Sequence, residues 1–334
     1  MSKGVAVAVR EITLAQAVRE ALAEEMRRDP AVLIIGEDVA EAGTPFKVLT
    51  GLVDEFGPDR VIDSPISEAG ITGLAVGAAM TGLRPIVDIM FGDFITLAMD
   101  QIANQAAKVR YMSGGKLAVP MVIRTTMGAT RRSAAQHSQS LHAWVSHVPG
   151  LKVVLPSTPY DAKGLWKTAI RDNNPVVIFE DKMMYQLKGA VPEGEYTIPF
   201  GEAEVKRPGT DVTVVATSSM VQVALRAAEL LMQDGVSAEV IDPRTTVPLD
   251  VQTLVESAKK TSRCVVVDEG YQRYGVTAEI AAAIAEGAFH YLDAPVKRLG
   301  AMDVPVPFSP VLEDLTVPTP ELVAQAAKTL CGRT

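Results

Sequence analysis

The sequence predicts an α/β protein of two domains, each built on a mostly parallel sheet covered by helices. Short apolar runs alternate with amphipathic segments of helical period, the pattern of strands buried on both faces between crossover helices. After Glu180 the periodicity lapses into a Gly- and Pro-rich stretch, as expected where one domain hands over to the next. A chain of 334 residues, 48% hydrophobic and 22% charged, suits two ordinary globular domains.

The elements follow in order. "ITLAQAVREALAEEMRRD" (12–29) predicts a helix and "AVLIIGEDV" (31–39) a buried strand. "EAGITGLAVGAAMTG" places Gly70, Gly73 and Gly77 on one helix face. Each glycine costs a helix about 1 kcal/mol, so the face is expected to let another backbone approach, within the domain or from a subunit or cofactor. "PIVDIMF" (85–91), "VPMVIRT" (119–125), "LKVVLPS" (151–157) and "PVVIFE" (175–180) read as further strands, with "TLAMDQIANQAAKVRYM" (96–112) as a helix.

The first domain is set at 1–190, the linker at 191–209 and a smaller α/β domain at 210–334. The last contains "DVTVVATSS", the helix "MVQVALRAAELLMQDG", "SAEVID", "RCVVVDEG" and "VKRLGA".

A net charge of −8 excludes a nucleic-acid partner, which needs a field of Lys and Arg. Two cysteines, Cys264 and Cys331, are too few for a disulfide framework and point to a reducing compartment. The N-terminus shows no secretory signal, and the uncharged stretch 69–83 is short for a membrane span, so a soluble cytoplasmic protein is expected.

Three of the four histidines, His137, His142 and His147, fall within one short segment. Their spacing of five would turn them by roughly 140° per step on a helix, so a shared metal face is not expected. His142 and His147 read as packed or surface histidines. His137, in "AAQHSQS" after a strand, is either a catalytic acid or base or a structural loop residue. Glu37 and Asp38 close a strand. Glu68 opens the glycine-lined helix, either as part of its capping or as a buried carboxylate that trades a proton with a bound heterocycle. The sequence contains no P-loop, no GxGxxG after a strand and no Gly-Asp-Gly with a following Asn for a magnesium diphosphate.

The blocks "GEDVAEAGTPFKVLTGLVDEFGPDRVIDSPISEAGITGLAVGAAMTGLRPIVDIMF", "DQIANQAAKVRYMSGG", "AAQHSQSLHAW", "PGLKVVLPSTPYDAKGL" and "IDPRTTVPLD" closely resemble one family. It is that of the beta subunits of thiamine-diphosphate-dependent decarboxylase components of 2-oxo acid dehydrogenase complexes, acetoin dehydrogenase included. The resemblance runs from about residue 10 to 330. It implies a transketolase-like fold, with a pyrimidine-binding domain followed by a transketolase-type C-terminal domain, and an α2β2 heterotetramer. The cofactor would lie between subunits, its magnesium and diphosphate held by the alpha chain.

By the same resemblance Glu68 is the glutamate that hydrogen-bonds the aminopyrimidine and promotes its imino tautomer. Ile66 approaches that ring, Phe94 stacks on it, and Glu37 lies in a solvent-filled passage between active sites. His137 serves the substrate side and the acylation of a lipoyl group. Met121, Ala169, Ile170, Asp172 and Asn174 match groups that hold a potassium ion in relatives, and hard oxygen donors suit such an ion.

The resemblance implies that the substrate is a 2-oxo acid, such as pyruvate or a branched-chain acid, or acetoin. The acyl acceptor is the lipoyl acyltransferase component. The competing readings are a non-catalytic scaffold subunit and a transketolase-like carboligase. One departure from the family's small residues is Arg131-Arg132, which is expected to face solvent or dock a lipoyl domain, the alternative being a substrate carboxylate.

Overall fold

A computed structural model describes residues 9–333. Its strands are β1 (Val9–Thr13), β2 (Val32–Gly36), β3 (Val61–Asp63), β4 (Arg84–Ile89), β5 (Val122–Met127), β6 (Lys152–Val154), β7 (Val176–Asp181), β8 (Lys188–Pro192), β9 (Glu204–Arg207), β10 (Val212–Ala216), β11 (Ala238–Asp242), β12 (Thr245–Val247), β13 (Cys264–Tyr271) and β14 (Lys297–Ala301). The first sheet runs β12-β6-β7-β5-β4-β2-β3 and is parallel except at β12. The second runs β14-β13-β10-β11-β9 and is parallel except at β9. Strands β1 and β8 form an antiparallel ribbon.

Both faces of the first sheet are covered, which is why its strands read as continuous apolar runs. Ile34, Ile86, Val122 and Ile178 pack with the helices Leu14–Arg28 and Pro159–Arg171. Ile35, Val87, Ile123 and Val177, one residue along each strand, pack with the helix Glu68–Met80 and the turns after β4. A capping box starts the first helix: Gln16 N donates to Thr13 Oγ1 at 3.2 Å and Thr13 N to Gln16 Oε1 at 2.8 Å.

Two expectations are corrected and a third is narrowed. Residues 96–112 are not one helix but a 3-10 turn (Gly92–Ala98), a π turn (Gln101–Ala106) and a short α-helix (Val109–Met112). Apolar spacing reports the buried side and not the hydrogen-bond ladder. Close packing holds the start of this segment, since a Cβ on Gly92 would lie 2.6 Å from the Thr126 carbonyl. Within the expected linker 191–209, β8 runs on to Pro192 against β1, and β9 belongs to the second sheet. On the glycine-lined helix, a Cβ on Gly77 would meet nothing within 4 Å, so packing within the domain does not explain that glycine.

A polar seam joins the two halves. Strand β12 adds to β6, and Leu155 N donates to the Arg244 carbonyl at 2.8 Å. Asp161 accepts from Arg244 Nε at 2.8 Å and Lys206 Nζ at 2.6 Å, while Ser157 donates to Asp242. Burial, and then the charge of Asp161, pushes the Asp242 carboxyl up to about 7. Cys264 and Cys331 are both free thiols. Among the described residues no helix is long and apolar enough to cross a membrane.

Candidate active site

The expected site residues gather where strands of the first sheet end, the edge at which open α/β sheets bind ligands. Glu37 follows β2 directly, and Ile66 and Glu68 follow β3. Glu68 is the first residue of its helix, whose N-terminus is closed by Gly70 N donating to Ser67 Oγ at 3.3 Å. Burial first, then the charges of Asp38 and Glu68, raises the Glu37 carboxyl above the ordinary range. Ile66 is 72% exposed, an apolar side chain left open two residues before Glu68.

The helix that begins at Glu68 packs against the turn Gly92–Ala98, which carries Phe94. Phe91, Phe94 and His137 form an aromatic wall. The His137 ring lies edge-on to Phe91 at 4.6 Å and to Phe94 at 5.3 Å between centroids. Asp93 holds the neighbouring loop: its Oδ1 accepts from Gln139 N at 3.3 Å and Gln139 Nε2 at 2.8 Å.

His142 and His147 take no part in this wall. His142 is buried, and its Nε2 lies 3.0 Å from Asp268 Oδ2. Burial opposes ionisation of Asp268. The nearby imidazole and the hydrogen bonds from Thr217 and Gly270 N outweigh it and hold the carboxyl below the ordinary range. His147 is exposed and lines a cavity of about 450 Å³. Among the described residues no group of three or more His, Cys, Asp or Glu could hold a metal ion.

The expectation for the two arginines is corrected for Arg132. Its Nη1 lies 2.7 Å from Glu313 Oε2 and 2.7 Å from Asp314 Oδ1, so it neither faces solvent freely nor waits for a docking partner. Arg131 is exposed, with its guanidinium 5.1 Å from the centroid of Phe46.

Four of the residues expected to hold a cation follow one another around a helix end. Ala169, Ile170, Asp172 and Asn174 lie at the C-terminal end of the helix Pro159–Arg171, and Met121 accepts from Val176 N at 3.0 Å beside them. Arg84 Nη1 already donates to the Ile170 and Asp172 carbonyls at 2.9 and 3.0 Å. Lys152 Nζ also donates to Asp172 Oδ2 and Arg110 Nη1 to Asn174 Oδ1, so cationic side chains already engage these donors.

Sequence reasoning missed several groups. Arg124 is buried with Asp88, Glu180 and the Tyr185 hydroxyl, which lies 2.8 Å from its Nη2. Asp88 and Arg124 are register partners in neighbouring strands. The readable signal was one charge in each of three apolar runs, "PIVDIMF", "VPMVIRT" and "PVVIFE". Asp181 and Glu269 form a buried carboxyl pair across the domain boundary. Burial, then Asp181, raises Glu269 well above the ordinary range. Ala129 N donates to Glu269 Oε1 at 2.7 Å. Lys182, 1% exposed, donates to the His137 carbonyl at 2.8 Å.

The fold and this strand-end site define a transketolase-type subunit. Residues 10–188 match the family "Transketolase, pyrimidine binding domain" and 201–323 match "Transketolase, C-terminal domain". The chain is 51% identical to the acetoin:2,6-dichlorophenolindophenol oxidoreductase subunit beta of Bacillus subtilis, over 97% of this chain and 98% of that one. It is 50% identical to the pyruvate dehydrogenase E1 component subunit beta of Rickettsia felis, over 96% and 98%. A mitochondrial pyruvate dehydrogenase E1 subunit beta-1 of Oryza sativa is 47% identical, over 98% and 88%. In fold it is similar to a split-gene transketolase, described as an inactive beta4 tetramer, with a TM-score of 0.78 at 24% identity over 96% of this chain and 99% of that one.

The chain therefore belongs to the family of beta subunits of the pyruvate and acetoin dehydrogenases, oxidoreductase components of multi-subunit complexes. That family is thiamine-diphosphate-dependent.

Proposed function

We propose that the chain supplies the pyrimidine and substrate side of a thiamine-diphosphate site completed by an alpha subunit in an α2β2 tetramer. The tetramer acts on a 2-oxo acid or acetoin and passes the acyl group to the lipoyl group of an acyltransferase component. The observation that carries this reading is the placement of Glu37 and Glu68 just after β2 and β3, with the Glu68 helix packed on the turn that bears Phe94 of the aromatic wall.

These residues fit the cofactor's heteroaromatic ring: Glu68 holds a proton against a ring nitrogen, while Ile66 and Phe94 provide apolar surface. When bound, thiamine diphosphate supplies the electron sink for cleaving the bond beside a carbonyl. His137 exchanges a proton with the substrate or the lipoyl thiol, the general acid–base role to which an imidazole is suited. Glu37, its proton affinity raised, holds or passes a proton beside Glu68. The alpha chain holds magnesium and diphosphate, because this sequence carries no motif for them. Potassium at the Met121, Ala169, Ile170, Asp172 and Asn174 oxygens braces the helix end, and the assembly resides in the cytoplasm.

Reconstitution tests the reading. The tetramer should turn over one of pyruvate, a branched-chain 2-oxo acid or acetoin, while the lone chain should not. Glu68→Ala should abolish turnover with the tetramer intact. Activity near wild type in that variant would favour a scaffold role.

A further inference from the structure

We propose that Lys182 is a positioning residue for His137, holding the catalytic loop through its main chain. The inference rests on the proposed role of His137 and extends it to a residue on another strand.

Lys182 follows directly on β7, in a short turn opened by Asp181, whose Oδ1 accepts from Met183 N at 2.7 Å. From there its buried ammonium donates to the His137 carbonyl at 2.8 Å. The same ammonium lies 5.7 Å from the centroid of Phe91, the ring against which the His137 imidazole rests. One side chain thus touches both the backbone and the packing surface that orient His137.

The environment of this ammonium is unusual for a buried charge. Buried ammonium groups are ordinarily paired with a carboxylate. Among the described residues the carboxyl groups near Lys182 act on it through charge alone, and the His137 carbonyl accepts its hydrogen bond. Asp181, Glu269 and Asp93 face it at longer range, and Arg131 opposes them. Burial lowers its proton affinity, and the three carboxylates only partly restore it. The hydrogen bond to His137 is therefore the specific interaction that accompanies the cost of burying this charge.

The loop between Gly128 and His137 is held at its other end as well, where Glu269 accepts from Ala129 N. Lys182 and Asp181, adjacent in sequence, thus stand under the two ends of one loop. Loss of the Lys182 bond frees the His137 end alone.

The test uses the reconstituted tetramer with Lys182→Met, Lys182→Arg and His137→Ala, and the Lys182→Met/His137→Ala double variant. A displacement of about 1 Å in a reacting group costs on the order of 100-fold, and Lys182→Met should lower kcat by that order with KM, cofactor binding and tetramer mass unchanged. Lys182→Arg should recover most of it, and the double variant should be no slower than His137→Ala. In the wild type kcat should fall at alkaline pH as Lys182 loses its proton, and Lys182→Arg should move that limb higher. The pH comparison stands even if Lys182→Met does not assemble. Unchanged kcat in Lys182→Met, additive losses in the double variant, or the same alkaline limb in Lys182→Arg would overturn the proposal. Full activity in His137→Ala would instead sink the role assigned to His137 itself.

Discussion

Arg132 and Glu313 meet across the domain boundary, with Nη1 2.7 Å from Oε2, and the Arg132 main-chain N donates to the same oxygen at 3.1 Å. The loop they tie down holds Thr130, Arg132 and Ala134 at φ of +65°, +61° and +58°. Non-glycine residues persist in that left-handed region only when surrounding contacts enforce it. Arg132→Ala is expected to let this loop relax, increase its proteolysis and lower turnover. Arg131→Ala should change both less, because Arg131 is exposed and makes only a cation–π contact. Equal effects in the two variants would show that the bridge does not hold the loop.

Arg124 is the charge on which two buried carboxylates depend. Arg124→Met would leave Asp88 and Glu180 facing each other in the sheet, and removing one partner of a buried ion pair costs about 3–5 kcal/mol. Denaturant unfolding should report a loss of this size. A loss below about 1 kcal/mol, typical of surface pairs, would mean that water relieves the site.

The buried Asp268 has its carboxyl held below the ordinary value of 3.8, so its contribution to stability is present above that pH and is lost as pH falls through the folded-state value. The stability gap between the wild type and Asp268→Asn should therefore be wide at pH 7 and narrow below about pH 4. Chemical denaturation across this range checks it, and a gap independent of pH would rule out the linkage.

At the seam the sign reverses. With Asp242 pushed up from 3.8 to about 7, the unfolded chain gives up its proton first, and stability falls as pH rises through that interval. Asp242→Asn should lose less stability than the wild type between about pH 4 and pH 7. Parallel curves would contradict it.

How much of this was legible in the sequence depended on distance along the chain. The central strands β2, β4, β5 and β7 could be read because burial on both faces makes each an apolar run. Strand β12 could not, since three residues at a sheet edge take their partner from residues 153–154, far behind them in the chain. Glu68 and His137 stood out through local context and family resemblance. Lys182 and Glu313 did not, because their roles arise from contacts 45 and 181 residues away. The charges in "PIVDIMF", "VPMVIRT" and "PVVIFE" were readable, since an ion inside a buried strand requires partners at matching register.

The return of β12 to the first sheet has a practical consequence for anyone dividing this protein. A fragment cut near residue 200 would keep the residues of the strand-end site yet lose the strand that covers β6, along with the Arg244 and Lys206 partners of Asp161. It would carry an uncapped sheet margin ready to pair with copies of itself and a stranded buried acid. The two halves are thus domains in architecture but not separable parts, and trimming for expression has to preserve residues 201–247 with the first half.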